Sequence, residues 1–103
     1  MVIDIGFIRE CFLEGRVLVT DHINRRIIER FVSLSEIEEV IMHGEIIEEY
    51  PEDKYYPSCL MLGVTLKNRP LHIVVGVAPE KIWLVTVYEP SLDKWDEAYR
   101  KRR

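Results

Sequence analysis

Three apolar runs in the second half of the chain are joined by links so short that the runs can only fold back on one another. Cys59–Leu66, Leu71–Val77 and Ile82–Tyr88 are rich in Val, Ile and Leu, as half-buried strands are. The links are Lys67-Asn68-Arg69-Pro70 and Ala78-Pro79-Glu80. A parallel pair needs a crossover of a dozen residues or more, so these links predict hairpins and an antiparallel meander. Glu45–Tyr50, which follows Gly44 and is closed by Pro51, reads as an additional edge strand.

The first half carries helical spacing instead. Ile5, Ile8, Phe12 and Leu13 share one side of a helix over Ile3–Leu13, and Gly15 is its stop. Val17-Leu18-Val19 is a short apolar link or strand. Thr20 or Asp21 caps a second helix, which buries Ile23, Ile27 and Phe31 and presents His22, Arg26 and Arg30 as a separate ridge. Ser35-Glu36-Ile37-Glu38 predicts a capping box for a third helix, ending at His43 and Gly44. Beyond Pro90, Ser91–Trp95 starts a short helix or tail that Trp95 anchors, and the final basic residues fray. The expected fold is a single α+β domain over residues 1–103. Two or three N-terminal helices pack on a four-stranded antiparallel sheet, followed by a short C-terminal helix or tail. A chain of 103 residues suffices for one such core.

No apolar run approaches the roughly 20 residues of a membrane-spanning helix. Asp4, Arg9 and Glu10 interrupt the N-terminus and no basic segment precedes an apolar one, so the sequence predicts no signal peptide and a cytoplasmic location. Cys11 and Cys59 lack CxxC spacing and read as buried free thiols. His22, His43 and His72 lie far apart and match no metal motif, so neither a metal nor another cofactor is expected.

The net charge of −4 disfavours a polyanionic partner, but the charge is uneven. Eight of the 18 acids fall between Glu36 and Asp53, where there is no Lys or Arg. The rest of the chain therefore holds 14 basic against ten acidic residues, concentrated at Arg25, Arg26, Arg30 and Arg100–Arg103. Local potential rather than the total decides where a polyanion docks.

Pairing the last hairpin around Pro79, with Val77 opposite Lys81, places His72 opposite Thr86 and puts Tyr88 two residues on along the same face. Imidazole, guanidinium and phenol groups suit metal-free RNA cleavage. One group removes the 2′-hydroxyl proton, another protonates the departing 5′-oxygen, and arginine steadies the phosphate. Each residue also has a plainer reading: His72 as a satisfied sheet histidine, Arg26 and Arg30 as partners of acids such as Glu29, Tyr88 as core.

The succession Thr20-x-His22-x-x-x-Arg26-x-x-x-Arg30, Ser35-x-x-Glu38, Gly44-Glu45-Ile46-Ile47-Glu48-x-Tyr50-Pro51, Arg69-Pro70-Leu71-His72-Ile73-Val74-Val75 and Leu84-Val85-Thr86-Val87-Tyr88 resembles a prokaryotic family of unknown function, numbered four-two-five-eight. The resemblance spans about Thr20 to Trp95. It implies the barnase, EndoU, colicin and RelE-like ribonuclease fold, and toxins encoded beside small antitoxin proteins. It points to His22, Arg26, His72 and Thr86 as the recurrent polar positions.

Together these readings predict a metal-independent endoribonuclease, the toxin of a toxin–antitoxin pair. His22, His72, Arg26 and Thr86 form the catalytic set, and Arg30 and Tyr88 bind substrate; either histidine serves as base. The expected partners are RNA (mRNA, on or off the ribosome), a small antitoxin and a second copy of the chain. The rival readings are a non-catalytic protein-interaction domain and a structural subunit of a homodimer.

Overall fold

The computed structural model describes residues 3–103, in the order α1 (Ile5–Leu13), β1 (Val17–Val19), α2 (Asp21–Glu29), α3 (Leu34–His43), β2 (Glu45–Tyr50), β3 (Ser58–Val64), β4 (Pro70–Val77) and β5 (Ile82–Tyr88). The strands form one sheet in the order β1-β5-β4-β3-β2. β2 to β5 are antiparallel, as their short links require, with Asn68 supplying the left-handed residue of the β3–β4 turn. β1 adds a fifth strand, pairing parallel to β5 from Val17↔Ile82 to Val19↔Leu84. The sheet is therefore mixed and five-stranded, not the four-stranded antiparallel sheet expected. Three residues are too few to announce a strand by alternation, and their partner lies more than sixty positions away in sequence.

Local chemistry explains the helix ends. Asp4 caps α1 by accepting from the Gly6 amide, so the helix starts two residues later than the spacing suggests. Thr20 rather than Asp21 caps α2, accepting from the Ile23 amide at 3.3 Å. The capping box of α3 is Ser33 with Glu36, not Ser35 with Glu38. Both pairs have the required spacing, but only the earlier one turns its carboxylate inward, towards Arg69. Arg9 closes the other end of α3 by donating to the carbonyls of Ile41 and Gly44 at 2.9 and 2.8 Å.

The helices cover one face of the sheet. Ile8, Ile23, Ile37, Val40 and Ile41 meet Met61, Leu71, Ile73, Val75, Leu84 and Val87 in one core. α3 lies so close to β3 that a β-carbon on Gly63 would stand 2.9 Å from the Val40 Cα, which is why glycine occupies that strand position. Part of the opposite face is covered by residues 91–103, which take the tail alternative rather than the helix, with Trp95 buried as the expected anchor and the basic end ordered instead of frayed. This strap folds back through a Trp95↔Arg102 bridge, and the Asp96 carboxylate accepts from the amides of Ala98, Arg100 and Lys101. Its basic residues meet acids of β2, Arg100 with Glu45 and Arg102 with Glu48.

Arg69, in the β3–β4 turn, ties these parts together. It donates to the carbonyls of Arg30 and Phe31 at 2.6 and 2.8 Å, to Glu36 at 3.4 Å and to Glu89 at 3.1 Å. Glu36 is 2% exposed. Burial alone would raise its pKa, but the Ser33 amide, Arg69, Lys67 and the Ser33 hydroxyl outweigh it and hold the carboxyl below its ordinary range. Removing one partner of a buried pair strands the other charge. Arg69→Ala is therefore expected to lower stability by about 3–5 kcal/mol at neutral pH, read from the urea midpoint. A loss below about 1 kcal/mol would mean that the Ser33 cap satisfies Glu36 unaided.

Candidate functional site

The strap-covered face of the sheet carries the polar residues. Two shifts from the simplest hairpin register put them there. Val77 lies opposite Ile82 rather than Lys81, and Val85 is an extra residue that bulges between the pairs Val74↔Thr86 and Val75↔Leu84. His72 is thus opposite Tyr88, not Thr86. One shift alone would have sent His72 and Thr86 to opposite faces; two restore the parity. Along this face run Trp83, Thr86 and Tyr88 of β5, His72, Val74 and Gly76 of β4, and Glu48 and Tyr50 of β2.

His72 has no exposed surface. Its Nε2 lies 2.8 Å from the Tyr99 carbonyl of the strap, and its Nδ1 lies 3.1 Å from the Tyr88 hydroxyl. A carbonyl can only accept, so Nε2 carries the proton and Nδ1 accepts from Tyr88. Burial pushes the imidazole pKa down, against the opposing pull of the Tyr99 carbonyl and Glu48, so the ring is neutral near pH 7. The Trp95 ring closes over it edge-on at 4.4 Å between centroids. Arg102 in turn stacks on Trp95 at 4.7 Å and donates to both Glu48 oxygens at 3.1 Å. Tyr50 also donates to Glu48, at 2.5 Å, and burial together with that carboxylate raises its phenol to about 12.

Above this floor opens a cleft of about 410 Å³, lined by Arg30, Tyr88, Lys94, Trp95 and Arg102, with Glu89 and Ser91 at its edge. Three cations face one carboxylate there. Arg30 is anchored by donating to the Val87 carbonyl at 2.5 Å. Burial raises the Tyr88 phenol, which stays protonated and holds its proton towards His72. The arrangement can receive an anion on its cations, beside a phenol oxygen whose proton is committed to a neutral imidazole.

Of the six sequence-derived site residues, Arg30 and Tyr88 line the cleft and His72 lies beneath it. Thr86 is half-buried on the same face, two residues before Tyr88. Arg26 pairs with Glu29 at 2.9 Å, the plainer reading of that residue. His22 is exposed on α2 and is not among the groups that line the cleft or touch His72. Sequence reasoning missed Lys94, Arg102, Tyr99 and Glu48 as parts of one constellation. The basic C-terminal run was visible, but which acids it meets depends on the sheet. Among the described residues, no three His, Cys, Asp or Glu side chains cluster as a metal site.

The family described as "Domain of unknown function (DUF4258)" matches residues 19–89, and the chain belongs to that family. Neither a curated protein nor a solved structure matches the chain. The strap residues Lys94, Trp95, Tyr99 and Arg102 lie beyond the matched segment.

The buried imidazole gives stability a pH dependence. In the unfolded chain His72 titrates at its ordinary value of about 6.5. In the fold its pKa is lower, so between the two values the unfolded state takes up a proton that the folded state refuses. Stability is whole above about pH 6.5 and is lost as the pH falls below it. Melting temperatures are expected to drop between about pH 7.5 and about pH 5.5, with a smaller drop in His72→Gln. Equal drops in both proteins would remove His72 as the cause.

Proposed function

We propose that the chain is an endoribonuclease that cleaves RNA by attack of the 2′-oxygen without a metal ion. It is the toxin of a toxin–antitoxin pair on the barnase, EndoU, colicin and RelE-like fold. The observation that carries the reading is the Tyr88 hydroxyl, held on a buried neutral imidazole at the floor of a cleft that gathers Arg30, Lys94 and Arg102. Phosphate neutralisation supplies most RNA affinity, and this cleft concentrates positive charge on an otherwise acidic chain. The expected partners, RNA and a small antitoxin protein, are those that the toxin kinship implied by the resemblance would bring.

In this reading Arg30, Lys94 and Arg102 hold the non-bridging phosphate oxygens. Tyr88 takes the 2′-hydroxyl proton as its own proton passes to His72 Nδ1, and Glu48 offsets the imidazolium that forms. The departing 5′-oxygen takes a proton from water, to which the cleft is open. Thr86 steadies the substrate beside Tyr88. His72 thus acts through Tyr88 and does not touch RNA. His22 and Arg26 serve only if the RNA extends along α2. The exposed apolar side chains of β1 and the α2–α3 corner favour the rival reading, a non-catalytic protein-interaction domain.

Cleavage of a long unstructured RNA in EDTA tests the proposal. Wild-type protein is expected to leave 2′,3′-cyclic phosphate ends, and Tyr88→Phe, which keeps the ring, to lose about 100-fold or more in rate. His72→Gln is expected to lose activity with Tyr88, and His22→Ala to keep it. No cleavage with or without ribosomes, or equal cleavage by wild type and Tyr88→Phe, would sink the reading and leave the interaction domain.

A further inference from the structure

The sheet face on which Tyr88 stands is not closed throughout. Leu60, Leu62 and His72 are buried there, whereas Val74, Trp83, Thr86 and Tyr88 stay partly exposed. Along β5 the open row is Trp83, Thr86 and Tyr88, and the bulge at Val85 keeps all three on one side. By the rise of a strand the row spans roughly 15 Å. Its Tyr88 end is the cleft that Arg30, Lys94 and Arg102 line.

At the other end, Trp83 lies across its neighbouring strand. It is paired with Gly76, and a β-carbon there would run into Cε2, Cζ2 and Cδ2 of the indole. Three ring atoms crowding one point mean that the indole rests face-down on the bare glycine. Tyr56, on the loop before β3, meets it with ring centroids 5.7 Å apart and planes 65° apart, so the two rings make a corner. One face of the indole is on the sheet, and its remaining exposure falls on the side away from the sheet. A ring seated on Gly76 and against Tyr56 gives up little freedom when a ligand lands on it. A partly exposed tryptophan needs no explanation by itself. Its flat orientation, and its place in a row that leads from the cleft, are what point to a ligand.

We propose that Trp83 is a stacking platform for one base of the RNA strand whose phosphate sits in the cleft, with Tyr56 as its side wall. This role rests on the endoribonuclease reading of the cleft. An RNA chain held by Arg30, Lys94 and Arg102 must leave the cleft over some surface. The strap closes the face above His72, while the row along β5 stays open. That row offers what a single strand uses, a hydroxyl at Thr86 and then a π-face at Trp83. Every base has a π-face, so the platform takes a base without selecting its identity. The length of the row sets this contact a few nucleotides from the scissile phosphate rather than at it.

Binding of the full chain to a short, labelled, fully 2′-O-methylated single-stranded RNA separates the platform from the chemistry, because that strand cannot be cut by its own 2′-oxygen. Fluorescence anisotropy gives the affinity. Trp83→Leu keeps an apolar side chain over Gly76 but has no π-face, and circular dichroism checks that it folds. It is expected to weaken binding about tenfold, and Trp83→Phe to recover most of the loss. An abasic strand of the same length has phosphates but nothing to stack, so wild type and Trp83→Leu are expected to bind it alike. With cleavable RNA, Trp83→Leu is expected to raise KM about tenfold at nearly constant kcat. No binding by wild type, equal binding of the methylated strand by wild type and Trp83→Leu, or an equal loss on the abasic strand overturns the platform. The expected binding pattern without any cleavage by wild type removes the nuclease and keeps Trp83 as an RNA contact. Cleavage with a KM that Trp83→Leu does not move removes the platform and keeps the nuclease.

Discussion

One arginine in a hairpin turn joins three separate segments of this chain. Arg69 reaches the last carbonyls of the α2–α3 corner, the buried Glu36 at the start of α3 and Glu89 just past β5. Those contacts satisfy carbonyls that the end of α2 would otherwise leave open. A lysine could not replace it, because the planar fork serves four acceptors on three segments at once. The α2–α3 corner, the start of α3 and the end of β5 are thus joined by one charge placed where the three segments meet.

The second constraint is electrostatic and spans the whole chain. Eight acids without a compensating base, followed by a basic end, look in sequence like two solvated regions. In space the ends meet. Glu45 and Glu48 of β2 receive Arg100 and Arg102, while Glu36 is held by Arg69 and the Ser33 cap. Pairs between exposed charges contribute little singly. Their effect here is geometric, because they lay the strap over a sheet face that would otherwise expose His72. Trp95 supplies the apolar cover, and Arg102 stacks on it while bonding Glu48. The buried imidazole follows from this closure, and with it the hydrogen-bond direction that leaves Tyr88 as the group facing the cleft.

Gly76 shows how closely the same face is packed. A β-carbon there would run into the Trp83 ring, which lies across the strand and meets Tyr56 edge-on at 5.7 Å. A glycine in a strand often marks such a close approach, and the sheet uses it to lay a large side chain flat.

Elements with local causes can be read along the chain. The cap of α2 was legible to one of two neighbours, Thr20 or Asp21, and β3, β4 and β5 run back and forth because their links permit nothing else. Arg30 was legible on a helical ridge and Tyr88 on a strand face, but that both line one cleft follows from how α2 packs beside β5. The capping box was legible only to within two residues, since Ser33 and Ser35 both satisfy the pattern and burial of Glu36 chooses between them. The fifth strand, the bulge at Val85, the partner of His72 and the path of the basic end depend on packing between distant segments. Each of these joins residues far apart in sequence, or turns on a one-residue shift that no local preference selects. Packing of the helices against one face and the strap against the other selects it, because side chains alternate along a strand and each face must be filled by what covers it.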